Sequence, residues 1–241
     1  MKPTFKINDF VVGDCLNPYI IAEIGVNHEG DMALAKRLIE EAAQGGAHAA
    51  KFQSYKAGLI ASKNSPAYWD QTKEPTDSQY KLFQKYDGFG PEEYIALAEH
   101  CKINNIDFMS TPFDLDAVDF LNPLMPAFKV ASADITNVPL IRKCAAMGKP
   151  LIMSTGAATL PEIEFAVATA RKAGATEISL LHCVLNYPTP EENAQLGMIT
   201  SLKRIFPEFV IGYSDHVAPD ETISALDAAR RIYSRKALHA R

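Results

Sequence analysis

Short apolar runs alternate with amphipathic stretches along most of the chain. Seven runs rich in Val, Ile, Leu or Phe predict β-strands, at 19–27, 47–55, 107–111, 127–132, 150–155, 178–184 and 210–215. Segments of helical period follow most of them, for instance 31–44, 91–104, 138–147 and 160–172. This alternation is typical of βα units that build a parallel sheet, so we predict an α/β fold.

Local signals refine this pattern at three places. Thr159 is a candidate N-cap of the helix 160–172, with Pro161 in its first turn and Gly174 just past its end. The apolar residues of 5–12 predict a short N-terminal hairpin. The segment 56–90 is rich in Pro, Gly and aromatic residues, and we predict a long βα loop with little regular structure.

Each predicted strand is apolar in its middle and turns polar at its C-terminal end, the edge at which α/β enzymes place their active sites. The number of strands then decides between a closed barrel and an open sheet. Seven strands with an N-terminal hairpin, and no GxGxxG sequence in the first βα turn, favour a (β/α) barrel of the TIM type.

The C-terminal end departs from a complete barrel. After a predicted helix at about 220–233 only SRKALHAR remains, which does not predict a convincing eighth strand. We therefore expect a truncated or divergent end, with an open edge between the seventh and first strands. The length of 241 residues fits one large domain, 1–241.

The composition indicates which binding partners and which cellular compartment to expect. The formal net charge is −5 and no Lys/Arg block is present, so DNA and RNA are not expected partners. The four cysteines lie far apart and form no CxxC pair, which predicts reduced thiols in a cytoplasmic protein. The N-terminus lacks an apolar signal segment, and no apolar run approaches the roughly 20 residues that span a membrane.

Lys51 and Lys129 lie within apolar strands, where an ammonium group needs an anion or a carboxylate beside it. We expect both to face a shared anionic ligand, because charged residues at the C-terminal ends of barrel strands are usually functional. Two alternatives stay open. The lysines could form structural salt bridges with helix carboxylates, or one of them could form a Schiff base.

Small hydroxyl and glycine residues follow several of the same strands. Hydroxyls and backbone N–H groups at helix N-termini bind phosphate or carboxylate oxygens, although a single Ser or Thr there is more often only an N-cap. Their recurrence after four strands predicts a small, doubly anionic substrate. The residues are Ser110, Thr111, Ser132, Ser154, Thr155, Gly156 and Ser214.

Four other polar residues are candidates for chemistry or for the core. Glu23 is expected to be buried by its apolar neighbours and to be a functional carboxylate rather than a core ion pair. His216 follows the seventh strand and is a candidate metal ligand or general base. His182, inside a strand, is expected to be a hydrogen-bonded core histidine, and His28 could have either role.

Seven motifs, taken in order and spacing, resemble the sialic acid synthase family. They are AEIGVNHEGD (22–31), KFQSYKA (51–57), STPFD (110–114), FKVASAD (128–134), GKPLIMSTG (148–156), LLHCVLNYPTP (180–190) and GYSDH (212–216). The resemblance covers nearly the whole chain, and several motifs are too long for chance agreement.

The resemblance implies a metal-dependent condensation of phosphoenolpyruvate with open-chain N-acetylmannosamine or a related N-acyl hexosamine, giving a nonulosonic acid and phosphate. It implies that Glu23 contacts the sugar or the reacting centre and that His216 binds a divalent metal ion, Mn²⁺ or Mg²⁺. The residues implied to hold phosphoenolpyruvate are Lys51, Lys129, Thr111, Ser132, Ser154, Tyr187 and Ser214.

The chain departs from the family pattern in three respects. The tail lacks the EKH-like strand that carries a second metal-binding histidine, and His239 is not its equivalent. Leu185 stands where family members often have asparagine, with Asn186 displaced by one. We also expect the C-terminal antifreeze-like domain of the family to be absent, which would weaken the homodimer that the resemblance implies.

These departures lead us to expect little synthase activity from the chain as written. Two alternatives to a synthase follow. One is a lysine Schiff-base aldolase on the same barrel, and the other is a catalytically inactive fragment that at most binds phosphoenolpyruvate.

Overall fold

The computed structural model describes residues 3–13 and 16–217. The described residues form two compact units, one made of those up to Tyr19 and from Lys129 to Val217, the other of Ile20–Phe128. The predicted helix at 220–233 and the tail with no predicted eighth strand lie outside the described residues.

All seven predicted core strands and the N-terminal hairpin are confirmed. In chain order the described strands are β1 (Thr4–Ile7), β2 (Phe10–Gly13), β3 (Ile21–Gly25), β4 (Ala49–Ser54), β5 (Asp107–Pro112), β6 (Phe128–Val130), β7 (Leu151–Ser154), β8 (Ile178–His182) and β9 (Val210–Tyr213). Strands β1 and β2 pair antiparallel, with Phe5 opposite Val12.

The long strands form two sheets. In the unit Ile20–Phe128, β3, β4 and β5 pair in parallel in that order. The other sheet has the order β6-β7-β8-β9, and its last three strands also pair in parallel. Adjacent strands of one sheet are therefore consecutive in the chain, as expected when each parallel strand is followed by a crossover helix.

The described helices include the four that the sequence predicts. They are α1 (Met32–Gln44), α2 (Ala57–Ile60), α3 (Gln79–Tyr86), α4 (Pro91–Ile103), α5 (Leu115–Leu121), α6 (Val138–Ala146), α7 (Leu160–Lys172) and α8 (Gly197–Ile205), with short 3₁₀ turns at Ser132–Asp134 and Glu191–Asn193. In the unit Ile20–Phe128, α1 and α4 pack beside each other, and in the other unit α6 packs beside α7.

Both predicted ends of α7 are confirmed. The carboxylate of Glu162 accepts hydrogen bonds from the backbone N–H and the hydroxyl of Thr159, each at 2.7 Å. At the other end Gly174 has a φ of +109°, which glycine adopts without a steric penalty. The N–H of Ala175 then reaches back to the carbonyl of Ala170 at 3.0 Å, and this closes the helix.

The prediction that segment 56–90 has little regular structure is wrong in part, because it contains α2 and α3. Residues 79–86 include neither Pro nor Gly, and the hydroxyl of Ser78 caps α3 by accepting the N–H of Lys81 at 3.2 Å. The two ends of the segment are joined. Lys56 Nζ donates to the carbonyls of Asp87 and Phe89, at 2.5 and 3.0 Å, and the Asp87 carboxylate accepts the N–H of Ala57 at 2.9 Å.

Apolar strand residues and one face of each neighbouring helix form the core of each unit. Phe52, Leu97 and Met109 are fully buried in the unit Ile20–Phe128.

The described cysteines Cys101, Cys144 and Cys183 are buried free thiols, as predicted, and burial raises the pKa of Cys101 and of Cys144 to about 12. Among residues 3–13 and 16–217, none of the helices has both the length and the apolar character to cross a membrane.

Candidate active site

Three predicted site residues meet on adjacent strands of the unit Ile20–Phe128. Lys51 lies on the middle strand, β4, opposite Glu23 of β3 in the register. Its ammonium group forms an ion pair with the Glu23 carboxylate and donates a hydrogen bond to the hydroxyl of Thr111 on β5 at 3.2 Å. Because Lys51 is only 7% exposed, these two partners stabilise a charge that is almost fully removed from water.

The expectation that Glu23 is buried is wrong, since about half of its side chain is exposed (49%). The register of β3 shifts between Glu23 and Gly25, and the φ of Gly25 is +57°. This irregularity lets the carboxylate reach Lys51 on the neighbouring strand while much of its surface stays open to solvent. An exposed carboxylate can give up its contact with Lys51 at low cost, because water can solvate it.

Thr111 and its neighbour Ser110 have different roles. Ser110 is fully buried, and its hydroxyl shares a hydrogen bond of 2.7 Å with that of Ser54 on β4. The bond fixes the ends of β4 and β5 side by side. On the same strand end, the hydroxyl of Tyr94 donates to the carbonyl of Gln53 at 2.7 Å, so α4 also supports β4.

His28, in the loop after β3, is buried with 1% exposure, so its environment is that of a core histidine. Its ring stacks on Phe89 with centroids 4.3 Å apart. Nδ1 accepts the backbone N–H of Gly30 at 3.1 Å, while Nε2 is buried without a hydrogen-bond partner among the described residues. Burial lowers the pKa of His28 below its ordinary value of 6.5.

We expect His28 to make the protein less stable in mild acid. Below pH 6.5 the unfolded chain takes up a proton at this histidine, and the folded protein does so only at lower pH. The free energy of unfolding contributed by this group therefore falls as the pH drops below 6.5. Urea unfolding at about pH 7.5 and about pH 5.5 measures the loss, which His28→Phe should reduce.

A matched control for this prediction is His100→Gln, which removes a histidine that pairs with Glu40 at 2.9 Å. This variant should keep the part of the acid-induced loss that belongs to His28. If the loss were the same in wild type and in His28→Phe, the buried histidine would not be its cause.

In the other unit, the predicted anion-binding residues lie at the C-terminal ends of β6 and β7. Lys129 on β6 is 7% exposed, and Ser132 directly after this strand is 6% exposed. Ser154 ends β7, and its buried hydroxyl has no hydrogen-bond partner among the described residues. A buried hydroxyl without a partner is costly, so its position is consistent with a ligand-binding role.

Gly156 approaches the end of β8 closely. A Cβ atom on this residue would lie 2.6 Å from Sγ and 2.8 Å from the carbonyl oxygen of Cys183. Glycine is therefore required by space at this turn, where the backbone of the loop after β7 contacts the backbone after β8.

His216, Tyr187 and Ser214 lie together beyond the ends of β8 and β9. His216 Nδ1 is 2.5 Å from the carbonyl oxygen of Val184, and its Nε2 is 3.2 Å from the Tyr187 hydroxyl. The Ser214 hydroxyl is more distant, at 3.5 Å from the same nitrogen. A histidine whose Nδ1 donates to a backbone carbonyl has Nε2 available as a ligand, as is usual for metal-binding histidines.

His182 has the predicted structural role. It is 6% exposed, and its Nε2 is 2.8 Å from the carbonyl oxygen of Ala194. Among residues 3–13 and 16–217 no group of three or more His, Cys, Asp or Glu side chains is arranged to hold a metal ion. His216 is therefore a candidate for one ligand of an ion, and the described side chains do not supply a complete set.

Comparison with known proteins identifies the family. Residues 38–230 match the model of the NeuB family. The chain belongs to the NeuB family. One relative is an N,N'-diacetyllegionaminic acid synthase of Campylobacter jejuni. The two sequences are 46% identical over 202 residues, which are 82% of this chain and 60% of the relative. This NeuB-family chain spans 57% to 60% of the length of five curated relatives that it matches.

Solved structures support the fold class. The NeuB-family chain superposes on the crystal structure of an N-acetylneuraminic acid (sialic acid) synthetase of Leptospira borgpetersenii with a TM-score of 0.79 and 36% identity, covering 92% of this chain and 73% of that one. A truncated 3-deoxy-D-arabino-heptulosonate 7-phosphate synthase of Thermotoga maritima shares the fold alone, with a TM-score of 0.62, 12% identity, and 90% and 70% of the two chains covered. The predicted α/β fold of the (β/α)-barrel type is thus confirmed.

The structure groups the predicted site residues of the NeuB-family chain in three sets. Glu23, Lys51 and Thr111 are in direct contact in one unit. In the other, Lys129 and Ser154 lie on β6 and β7, and Ser132 and Gly156 follow these strands. Tyr187, Ser214 and His216 follow β8 and β9. Sequence reasoning missed Val184, which orients His216 through its carbonyl group, and a backbone contact of this kind leaves no side-chain signal to find.

Proposed function

We propose that this NeuB-family chain carries the catalytic residues for the condensation of phosphoenolpyruvate with an N-acyl hexosamine, N-acetylmannosamine or a related sugar. The observation that carries the proposal is the buried ammonium group of Lys51 between Glu23 and Thr111. The relative from Campylobacter jejuni and the synthetase from Leptospira borgpetersenii, both named as synthases of acidic sugars, support it.

The reaction needs positive charge and hydrogen-bond donors around an anion. C3 of phosphoenolpyruvate forms a bond with the aldehyde carbon of the open-chain sugar, whose oxygen takes up a proton. Water then adds to the cationic C2 and loses a proton. The C–O bond to phosphate then breaks as the C2 hydroxyl becomes a carbonyl, and the leaving phosphate takes up the hydroxyl proton. Lys51 would stabilise the charge on the phosphoenolpyruvate oxygens throughout, in a site from which most water is excluded.

Glu23 has a second task in this scheme. Its exposed carboxylate neutralises Lys51 when no substrate is bound, and it can release the lysine when an anion arrives. The released carboxylate then faces solvent, where it can accept hydrogen bonds from the hydroxyl groups of the sugar. Thr111 keeps Lys51 in position through its hydroxyl group during this exchange.

Further contacts with phosphoenolpyruvate are proposed from the family resemblance. Lys129 supplies a second buried cation, and the hydroxyl of Ser154, which has no partner among the described residues, is a ready donor to an anion. Ser132, Gly156, Tyr187 and Ser214 complete the proposed set.

His216 fits the role of one ligand to a divalent metal ion, Mn²⁺ or Mg²⁺, because its Nδ1 donates to Val184 and leaves the lone pair of Nε2 for an ion. Such an ion, when bound, would supply Lewis-acid polarisation of the sugar aldehyde.

Phosphate release and borohydride trapping test the proposal together. Where phosphate is released, we expect its release to require phosphoenolpyruvate, an N-acyl mannosamine and Mn²⁺, and to stop on addition of EDTA. Phosphoenolpyruvate should bind, in calorimetric titration, even where turnover is low. Borohydride with pyruvate should leave Lys51 and Lys129 unmodified in the mass spectrum, since this route forms no imine.

Either of two results would contradict the proposal and favour another function. A borohydride-trapped pyruvate adduct on either lysine, with activity insensitive to EDTA, would identify the Schiff-base aldolase. Binding of phosphoenolpyruvate without release of phosphate, with each N-acyl sugar tried, would leave only an anion-binding fragment.

A further inference from the structure

We infer that Glu23 competes with the ligand anion for Lys51: an anion binds only by displacing the Glu23 carboxylate, and the return of this carboxylate helps to expel the anionic product. This role of Glu23 rests on the function proposed above and extends it to product release. It has an uncommon consequence, because removing a residue of the site should strengthen the binding of an anion.

The contacts of Lys51 leave no place for a second anion beside Glu23. An ammonium group has three donors, and Thr111 and Glu23 use two of them. An anion on the third donor would lie at most about 6 Å from the Glu23 carboxylate, the sum of two hydrogen-bond lengths. Two negative charges this close repel strongly in a site that is almost fully removed from water. One of the two anions must therefore leave.

Glu23 is the partner that can leave Lys51. Thr111 is 2% exposed and uncharged, whereas about half of the Glu23 side chain is exposed to water. A Cβ atom on Gly25 would lie 3.2 Å from Oε1 of Glu23 and 3.4 Å from Nε2 of Gln53. Because glycine has no Cβ there, the carboxylate has room to turn, and the nearby amide of Gln53 can donate to it afterwards.

The competition affects substrate and products differently. A tethered group competes at an effective concentration in the millimolar range, so an anion that replaces it needs contacts that the carboxylate lacks. Phosphoenolpyruvate has two anionic groups, a phosphate and a carboxylate. The proposed reaction separates them, since one product is phosphate and the other is a sugar acid. Each product keeps one anionic group, and the returning Glu23 carboxylate displaces it more readily than the substrate.

Calorimetric titration of three anions tests the inference. Glu23→Gln should bind phosphoenolpyruvate about twofold to fivefold more tightly than wild type, the range expected when a partly exposed ion pair no longer has to be broken. Inorganic phosphate and pyruvate each carry one of the two anionic groups. A similar gain for phosphate would assign the phosphate group to Lys51, and a gain for pyruvate would assign the carboxylate. The matched control is Glu29→Gln, which removes an exposed carboxylate from the loop after β3 and should bind as wild type does.

A double variant separates direct competition from a general effect of negative charge. In the Lys51→Met background no ammonium group remains for which the two anions could compete. Adding Glu23→Gln to Lys51→Met should therefore bring no gain in affinity. A general electrostatic effect would persist in this background.

The carboxylate itself gives a second readout that does not depend on Glu23→Gln. In protein labelled with ¹³C at the glutamate carboxyl carbons, the Glu23 resonance is identified by its absence in Glu23→Asp. We expect saturating phosphoenolpyruvate to shift this resonance toward the position that it has in Lys51→Met, where the carboxylate has lost its partner.

The outcomes distinguish this inference from the proposed function. If wild type binds phosphoenolpyruvate but Glu23→Gln shows no gain for it, or none for either probe, the inference alone is wrong. The same holds if the gain persists in the Lys51→Met background, or if bound phosphoenolpyruvate leaves the Glu23 resonance in place. If neither wild type nor Glu23→Gln binds any of the three anions, the proposed function is wrong as well.

Discussion

Changing Lys51 to methionine is expected to weaken the binding of phosphoenolpyruvate about 10-fold to 100-fold, which corresponds to the loss of one charge-assisted hydrogen bond to an anion. Methionine preserves most of the apolar stem of a side chain that is 7% exposed. The fold should survive, because the Glu23 carboxylate left behind is about half exposed and water can solvate it. Calorimetric titration measures the affinity.

Lys81→Met is the matched control for this prediction. Lys81 forms an exposed ion pair with Asp77 at 2.8 Å on the surface of α3, and such pairs contribute little to stability or binding. Its removal should leave the affinity for phosphoenolpyruvate unchanged. The same affinity in wild type and Lys51→Met would show that Lys51 serves only its ion pair with Glu23. Lys129→Met extends the test to the second proposed cation.

Gly156→Ala is expected to lower the free energy of unfolding by about 1–3 kcal/mol, the usual cost of inserting a methyl group where no space exists. The new Cβ would lie 2.8 Å from the carbonyl oxygen of Cys183, and a backbone atom cannot move aside as the end of a flexible side chain can. The displaced loop would also shift Ser154, so the affinity for phosphoenolpyruvate should fall with stability. Urea unfolding and calorimetric titration measure the two effects.

A second glycine gives the control. Gly197 begins α8, and a Cβ there would meet no atom within 4 Å. Gly197→Ala should therefore leave stability unchanged or raise it by about 0.4–1 kcal/mol, because alanine restricts the unfolded chain. If Gly156→Ala were as stable as Gly197→Ala, the turn after β7 would accommodate the added methyl group without a loss in the free energy of unfolding.

The strands were predictable because each contains a short run of mainly apolar residues, as parallel strands buried on both faces require. The helices with strong end signals were predictable for a similar reason. In α7, Thr159 and Gly174 mark the two ends by chemistry that acts within a few residues, and such local effects can be read from the sequence.

Features that depend on distant contacts were not predictable. The apolar neighbours of Glu23 suggested burial, but the bulge in β3 and the reach to Lys51 depend on pairing between strands that lie about 28 residues apart. The helix α3 was not predicted because the prolines and glycines on either side of it indicated a loop. The orientation of His216 depends on the carbonyl of Val184, and any residue type could supply that oxygen.

The hydrogen bonds that join Lys56 to Asp87 and Phe89 have a consequence for how this protein can vary. These bonds hold the two ends of segment 56–90 together. The helices α2 and α3 lie between those ends. With Phe83 kept in its ring contact with Tyr55, other residues between Ala57 and Asp87 could be lengthened, shortened or exchanged while β4 and α4 keep their positions. Lengthening a loop with fixed ends costs little entropy. The segment is a natural module for grafting, in which new sequence can be introduced between β4 and α4 without redesign of the sheet.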